Sequence, residues 1–266
     1  METKLNYKRT FLIGLAFLSI CSFWQMYDNI IPLILQNTYH LGETMTGAVM
    51  ALDNVLAIFL LPVFGALSDK VHTKLGRRMP FIVAGTILAV IFMMLLPMID
   101  NAEKARWNTG ESFSNQVIFL AVLFFTLVSM GLYRSPAVAL MPDVTPNHLR
   151  SRANAVINLM GAVGGVYALI MIKVLVGKGE TPDYLPLFAS IAAVMAIAVG
   201  ILVITIRENK LREEVEKAEA ANAGTIEEKA MAEGVEAAGE IEAVGDTGEI
   251  KSFDGKKQTG KTEGTK

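Results

Sequence analysis

The sequence is poor in the residues that soluble enzymes use. Of 266 residues one is cysteine, Cys21, and three are histidine. A single cysteine excludes an intrachain disulfide and leaves no CxxC spacing for zinc. His40, His72 and His148 fall in predicted loops and share no metal-ligand spacing. Walker, GxSxG and HExxH motifs are all absent. No enzymatic activity, cofactor or metal is therefore expected. The net charge of −2 gives no reason to expect a nucleic-acid partner.

What the chain has is apolar length. Hydrophobic residues make up 52% of it and the mean hydropathy is +0.42. They gather in six runs, about 11–36, 45–67, 80–99, 117–141, 153–176 and 185–206. Each is long enough to cross about 30 Å of hydrocarbon as a helix. The fold class predicted is an all-α membrane protein of six transmembrane helices. Lys8 and Arg9 before the first run resemble a signal-peptide flank. That run is too long for an h-region, contains Asp28, and is followed by no small-residue cleavage site.

Charge gives the expected orientation. Lys4, Lys8 and Arg9, then Lys70, Lys74, Arg77 and Arg78, then Arg150 and Arg152, then Arg207, Lys210 and Arg212 mark alternate span ends. The connections between them are poorer in cations. By the positive-inside rule both termini are expected in the cytoplasm. Residues 1–206 hold 14 Lys+Arg against 11 Asp+Glu, whereas residues 207–266 hold 10 against 15. Two domains follow: a membrane domain over 1–206 and an acidic segment over 207–266. The second starts with a helix-forming pattern that could extend the sixth span. Beyond Gly234 it is glycine-rich and lacks Pro, Trp and Tyr. Such a composition predicts a mostly disordered tail or linker.

Three ionisable residues interrupt the apolar runs: Asp28, Asp53 and Arg134. Each is expected about 12–13 Å inside a span end, close to the bilayer midplane. Ionisable groups are costly there and commonly mark a pathway. Counted from the predicted span starts, Asp28 and Arg134 hold the same position. Each follows a tyrosine, Tyr27 or Tyr133, and precedes a proline, Pro32 or Pro136. This fits inverted repeats of spans one to three and four to six. Arg134 is expected to pair with Asp28 or Asp53, leaving one carboxylate free to titrate or meet a cation. Trp24, Gln25, Tyr27, Asn29 and Asn54 lie around these acids, and aromatic faces with amides can hold a sugar ring. Packing accounts equally well for Trp24 and Tyr27. Asn154 and Asn158 share a helix face and line a path or cross-link helices. The "GAVGG" at 161–165 predicts close helix approach.

The most specific stretch is "GALSDKVHTKLGRRMPFI", residues 65–82. It resembles the loop signature of the major facilitator superfamily, a Gly-x-x-x-Asp core followed by Gly-Arg-Arg. The longer form is similar to sugar–cation symporters, namely the glycoside–pentoside–hexuronide symporters and the sucrose–proton symporters. "YRSPAVALMPDVTPNHLRSRANAVINLMG", residues 133–161, resembles their connection between spans four and five. The resemblance implies symport of a sugar by alternating access in a plasma membrane. It implies a cytoplasmic gate made of Gly65, Asp69, Gly76, Arg77 and Arg78, with Asp69 pairing with either arginine to stabilise an outward-open state. Asp143 with Arg150 or Arg152 looks like a second charge cluster. In sodium-coupled relatives an acid precedes the proline of span two and another lies four residues earlier. Here those positions are Leu61 and Ala57, so a proton is favoured over sodium, with Asp28 or Asp53 as acceptor.

Members of that superfamily have twelve spans in two halves, and six are found here. The chain then reads as an N-terminal half whose partner half is encoded separately or missing, as one copy of a homodimer, or as a six-span adaptor that transports nothing.

Overall fold

A computed structural model describes residues 6–71, 73–107, 115–177 and 182–220 of the chain. Six long helices account for most of them: α1 (Tyr7–Asn37), α2 (Glu43–Lys70), α3 (Met79–Trp107), α4 (Gln116–Asp143), α5 (Arg150–Leu175) and α6 (Leu185–Thr205). All six are long and apolar enough to cross a membrane. No strand occurs among the described residues. The chain divides after Glu219 into two units, and the first holds all six helices. The expected disorder of the tail concerns residues that, from 221 on, lie outside those described.

The helices follow the apolar runs with one large extension. The third run was expected to stop near residue 99, but α3 continues to Trp107. The added turns carry "DNAEKARW", a polar stretch that looks like a loop. Asp100 is fully buried and makes these turns helical. It accepts hydrogen bonds from Thr38 Oγ1 at 2.6 Å and from Lys104 Nζ at 2.6 Å, one helical turn on. Lys104 also donates to the Pro182 carbonyl at 2.7 Å and lies 4.6 Å from the Tyr184 ring centre. One buried acid thus ties the end of α1, the end of α3 and the approach to α6. Burial and then the Asp100 charge push the Tyr184 phenol above its ordinary value. Tyr39 is raised likewise by burial, Asp100 and Glu103.

Breaking a buried ion pair by removing one partner costs about 3–5 kcal/mol. Asp100→Ala should fall within this range, read as a lower thermal midpoint in detergent. Asp100→Asn can still accept from Thr38 and should lose less.

The packing is that of a repeated three-helix unit. α1 packs on α5 and α4 on α2; α3 packs on α4 and α6 on α1; α3 meets α6 and α1 meets α4. Exchanging helices one to three with helices four to six maps each of these pairings onto another or onto itself, whereas the contact of α5 with α6 has no counterpart of similar extent between α2 and α3. This is the pattern expected of two inverted repeats. The matched positions of Asp28 and Arg134 do not survive at residue level. α1 starts well before the predicted span, at Tyr7, and α4 starts almost on it, at Gln116. The tyrosines differ too. Tyr133 Oη meets Ser19 Oγ at 2.7 Å and donates to the Ala16 carbonyl at 3.1 Å, whereas Tyr27 Oη is buried with no partner among the described residues.

"GAVGG" sits where α5 crosses α1. A Cβ on Gly164 would overlap the Leu18 carbonyl, and one on Gly161 would come within 2.9 Å of Cys21 Sγ. The close approach lets Ser22 Oγ donate to the Gly164 carbonyl at 2.9 Å. α2 packs differently from the others. None of its most apolar window is buried, and Ile58, Phe59 and Val63 are exposed.

Beyond α6 the chain does not continue in one helix. Ile206 is extended, with ψ 114°. A separate helix, α7, spans 208–220. It docks through buried Leu211, through an Arg9–Glu214 ion pair at 2.8 Å, and through Glu219, which accepts from the Asn147 N–H at 3.2 Å. The packed unit therefore extends past the expected boundary at 206.

Candidate functional site

Two groups of residues were expected to act together; the pairing of Asp69 with the loop arginines is as expected, and the partners of Arg134 and Asp143 differ. The first lies along α1, α2, α4 and α5. Asp28 and Asn29 are exposed on α1, as are Asn54 on α2 and Asn158 on α5. Asn29 donates to the Gln25 carbonyl at 2.7 Å, and Asn54 to Asp53 Oδ1 at 3.0 Å. Tyr27 is only 1% exposed. It lies in the core, 6.1 Å from the Phe23 ring and 5.4 Å from the Trp24 ring. Of the sugar-holding candidates it is the one removed from the open surface.

Between α1 and α5 runs an open groove of about 450 Å³, lined by Trp24, Gln25, Asp28 and Asn158 together with Gly161 and Gly165. Its volume is that of a small-molecule site. Its lining combines two aromatic side chains, Phe17 and Trp24, with the amides of Gln25 and Asn158 and the carboxylate of Asp28. The lack of side chains on α5 opens it: Gly165 leaves Gln25 Oε1 as the nearest atom, 3.8 Å from where its Cβ would be.

Arg134 does not ion-pair with Asp28 or Asp53 among the described residues. Its guanidinium carbon lies 5.4 Å from the Trp24 ring centre, within cation–π range. Trp24, Asp53, Gly131 and Arg134 line a crevice of about 20 Å³ between α1, α2 and α4. The aromatic face takes the place expected of a carboxylate because the rotations of α1 and α4 bring the indole, rather than Asp28, to the guanidinium. The indole Nε1 is buried and has no acceptor among the described residues.

The second group lies at the basic end of the bundle. Arg78 Nη2 meets Asp69 Oδ1 at 2.7 Å, and Arg77 Nη1 meets the same oxygen at 3.6 Å. The expected second cluster is part of this one. Asp143 Oδ2 accepts from Arg77 Nη2 at 2.8 Å and from Arg78 Nε at 2.9 Å. Arg150, nearer in sequence, instead donates to the Pro142 and Thr145 carbonyls, and Arg152 is exposed on α5. Asp143 ends α4 facing the start of α3, so it finds arginines distant in sequence rather than those one turn away. Burial works against the Arg77 charge, but the hydrogen bond and charge of Asp143, with Asp69 and Glu208, more than offset it and hold its pKa above the ordinary value.

Sequence reasoning missed Glu208. This acid is 1% exposed and lies at the start of α7. It accepts from the N–H groups of Arg77 at 3.0 Å, Arg78 at 3.1 and 3.0 Å, and Met79 at 3.1 Å. It therefore caps the otherwise unpaired donors at the α3 N-terminus, where an anion is favoured. Gly76 makes this possible with φ +127°, and a Cβ there would run into the Glu208 carboxyl. Ser68 was also missed; it accepts from Arg78 Nη1 at 2.7 Å. Gly65, placed in the gate by the resemblance, lies where α2 meets α4, and a Cβ on it would come to 3.3 Å from Ser135 Oγ. The available signal was one acid among the cations that follow the last span.

The comparisons with known proteins agree with the helical pattern. The family model described as Major Facilitator Superfamily matches residues 7–244. The sucrose transport protein SUC4 of Arabidopsis thaliana is 35% identical over 116 residues, 41% of this chain and 22% of that protein. The sucrose transport protein SUT3 of Oryza sativa subsp. japonica is 26% identical over 137 residues, 48% of this chain and 27% of that protein. The matches thus span about a quarter of the length of these relatives. With its six spanning helices the chain is an integral, multi-pass membrane protein, and it belongs to the Major Facilitator Superfamily.

Proposed function

We propose that this chain is the N-terminal half of a proton-coupled sugar symporter that works by alternating access. The observation that carries the proposal is the groove between α1 and α5, where Trp24 offers a ring-sized aromatic face and Gln25, Asp28 and Asn158 offer hydroxyl partners. The sucrose transport relatives support a sugar as substrate. Leu61 and Ala57 stand where sodium-coupled symporters carry acids, which favours a proton as the coupling ion.

In this reading the exposed α2 and α5 faces form one wall of the pathway, and a separately encoded six-span half or a second copy supplies the other. The segment after α7 serves as the link between halves. The basic end is cytoplasmic, both termini lie there, and the protein resides in the plasma membrane. Asp69, Arg77, Arg78 and Asp143 hold the α2–α3 connection against the end of α4 and close the cytoplasmic side. Opening that side separates these ion pairs.

Proteoliposomes test the proposal with radiolabelled disaccharide and an imposed pH gradient, using the chain alone and with a co-expressed six-span half. Gradient-dependent accumulation in at least one preparation is expected. Its absence in both would overturn the symport reading.

A further inference from the structure

We propose that a cavity at the basic end, where α1 and α7 begin and α6 ends, binds the headgroup of an anionic phospholipid. The cavity is open and of about 420 Å³, within the range of small-molecule sites. Four cations line it: Lys8 and Arg9 from α1, Arg207 from the break between α6 and α7, and Lys210 from α7. Glu214 is the one acid among the lining residues, and it is paired with Arg9 at 2.8 Å. The side chains of Lys8, Arg207 and Lys210 have no hydrogen-bond or ion-pair partner among the described residues.

Pairing sets these cations apart from others at the same end. Arg77 and Arg78 hold Asp69 and Asp143, and Arg150 holds the Pro142 and Thr145 carbonyls. Cations that only orient the spans need not share a cavity. Four around one concave surface focus a positive potential that draws an anion. Position selects a lipid as the source of that anion. Leu12, Thr205 and Ile206 line the side of the cavity toward the spans, at the ends of two helices long enough to cross a membrane. Apolar contacts at the hydrocarbon edge, with cations just outside, repeat the order of groups in a phospholipid, acyl chain and then phosphate. A zwitterionic headgroup would bring its own cation into the cluster, so an anionic one is favoured.

The headgroup has a task. Docking of α7 brings Arg207 and Lys210 to the same cavity as Lys8 and Arg9, and like charges across it oppose that docking. Glu214 offsets Arg9 alone. A phosphate among the four cations offsets the rest and draws α7 onto the start of α1. Because α7 begins with Glu208, an occupied cavity also strengthens the cap on the α3 N-terminus.

The probe is phosphatidylglycerol, compared with phosphatidylcholine of the same acyl chains. Native mass spectrometry of the purified full chain reads which lipid it retains, and amide exchange of residues 208–220 in nanodiscs reads the docking of α7. The wild-type chain should retain phosphatidylglycerol at least about tenfold more strongly than phosphatidylcholine. Lys8→Gln with Lys210→Gln should lose about fivefold for each cation removed. Lys8→Arg with Lys210→Arg keeps the charge and should keep the preference, which separates loss of charge from a folding defect. Lys74→Gln with Lys217→Gln removes the same charge from exposed positions outside the cavity and should keep the preference too. Phosphatidylglycerol should slow exchange of α7 in the wild type and not in Lys8→Gln with Lys210→Gln. Equal loss of the preference in the two glutamine pairs, its loss in the arginine pair, or α7 exchange that ignores phosphatidylglycerol overturns the proposal. Equal slowing by glycerol phosphate in phosphatidylcholine nanodiscs assigns the cavity to a soluble phosphate and overturns the lipid.

Discussion

Glu208→Ala is expected to destabilise the solubilised protein by at least about 3 kcal/mol and to release the α2–α3 connection. The carboxylate is buried and receives the N–H groups of Arg77, Arg78 and Met79. Hydrogen bonds to charged groups contribute about 1.5–3 kcal/mol each, and a buried donor left unpaired costs its desolvation. Alanine leaves three such donors at a helix N-terminus, where the lost anion also complemented the helix dipole. Glu208→Gln keeps one accepting oxygen and no charge, so it should recover about half of the loss. Thermal melts in detergent read the stability. Amide exchange at residues 77–79 reads the cause, and it should rise in both variants, more in Ala. Unchanged exchange in Glu208→Ala would remove the capping role.

Gly164→Leu is expected to prevent folding, because the Leu18 carbonyl occupies the space of the first added carbon. A backbone atom in a packed helix cannot swing aside as a side chain can. Even Gly164→Ala should cost about 2–3 kcal/mol, in the upper range for overpacking. The control is one residue away. Gly165→Ala meets nothing closer than Gln25 Oε1 at 3.8 Å, and removing a helical glycine gains about 0.5–1 kcal/mol. The two alanine variants should therefore shift the melting point in opposite directions. A similar fall in both would mean that the α1–α5 crossing does not depend on the absent side chain.

The glycine segment was legible in the sequence and Glu208 was not. Helix number and approximate ends follow from apolar length, a property each segment carries by itself. "GAVGG" was legible because small residues on a spanning helix have few uses other than close approach. The extra turns of α3 were not, because Asp100 and Lys104 read as solvent-seeking until Thr38, Pro182 and Tyr184 are brought around them. The loop arginines were legible as one cluster, and their pair with Asp69 was implied by the family resemblance. Their pair with Asp143 was not legible, because sequence proximity favoured Arg150 and Arg152 while the ends of α3 and α4 meet in space. Arg134 shows the same limit. Its position in an apolar run signals a site, but whether it faces a carboxylate or an indole depends on helix rotation, which periodicity in a uniformly apolar helix does not encode.

The dependence of the α2–α3 connection on Glu208 also sets an order in time. The chain is made from its N-terminus, so Arg77, Arg78 and Gly76 emerge long before the acid that holds them. Until Glu208 is synthesised, the N–H groups of Arg77, Arg78 and Met79 lack the carboxylate that pairs them. The segment just past the last span then completes the earliest loop of the basic end. The bundle thus ends on a closing stitch between its middle and its last helix, and a chain interrupted before residue 208 carries the six described spans yet lacks that stitch.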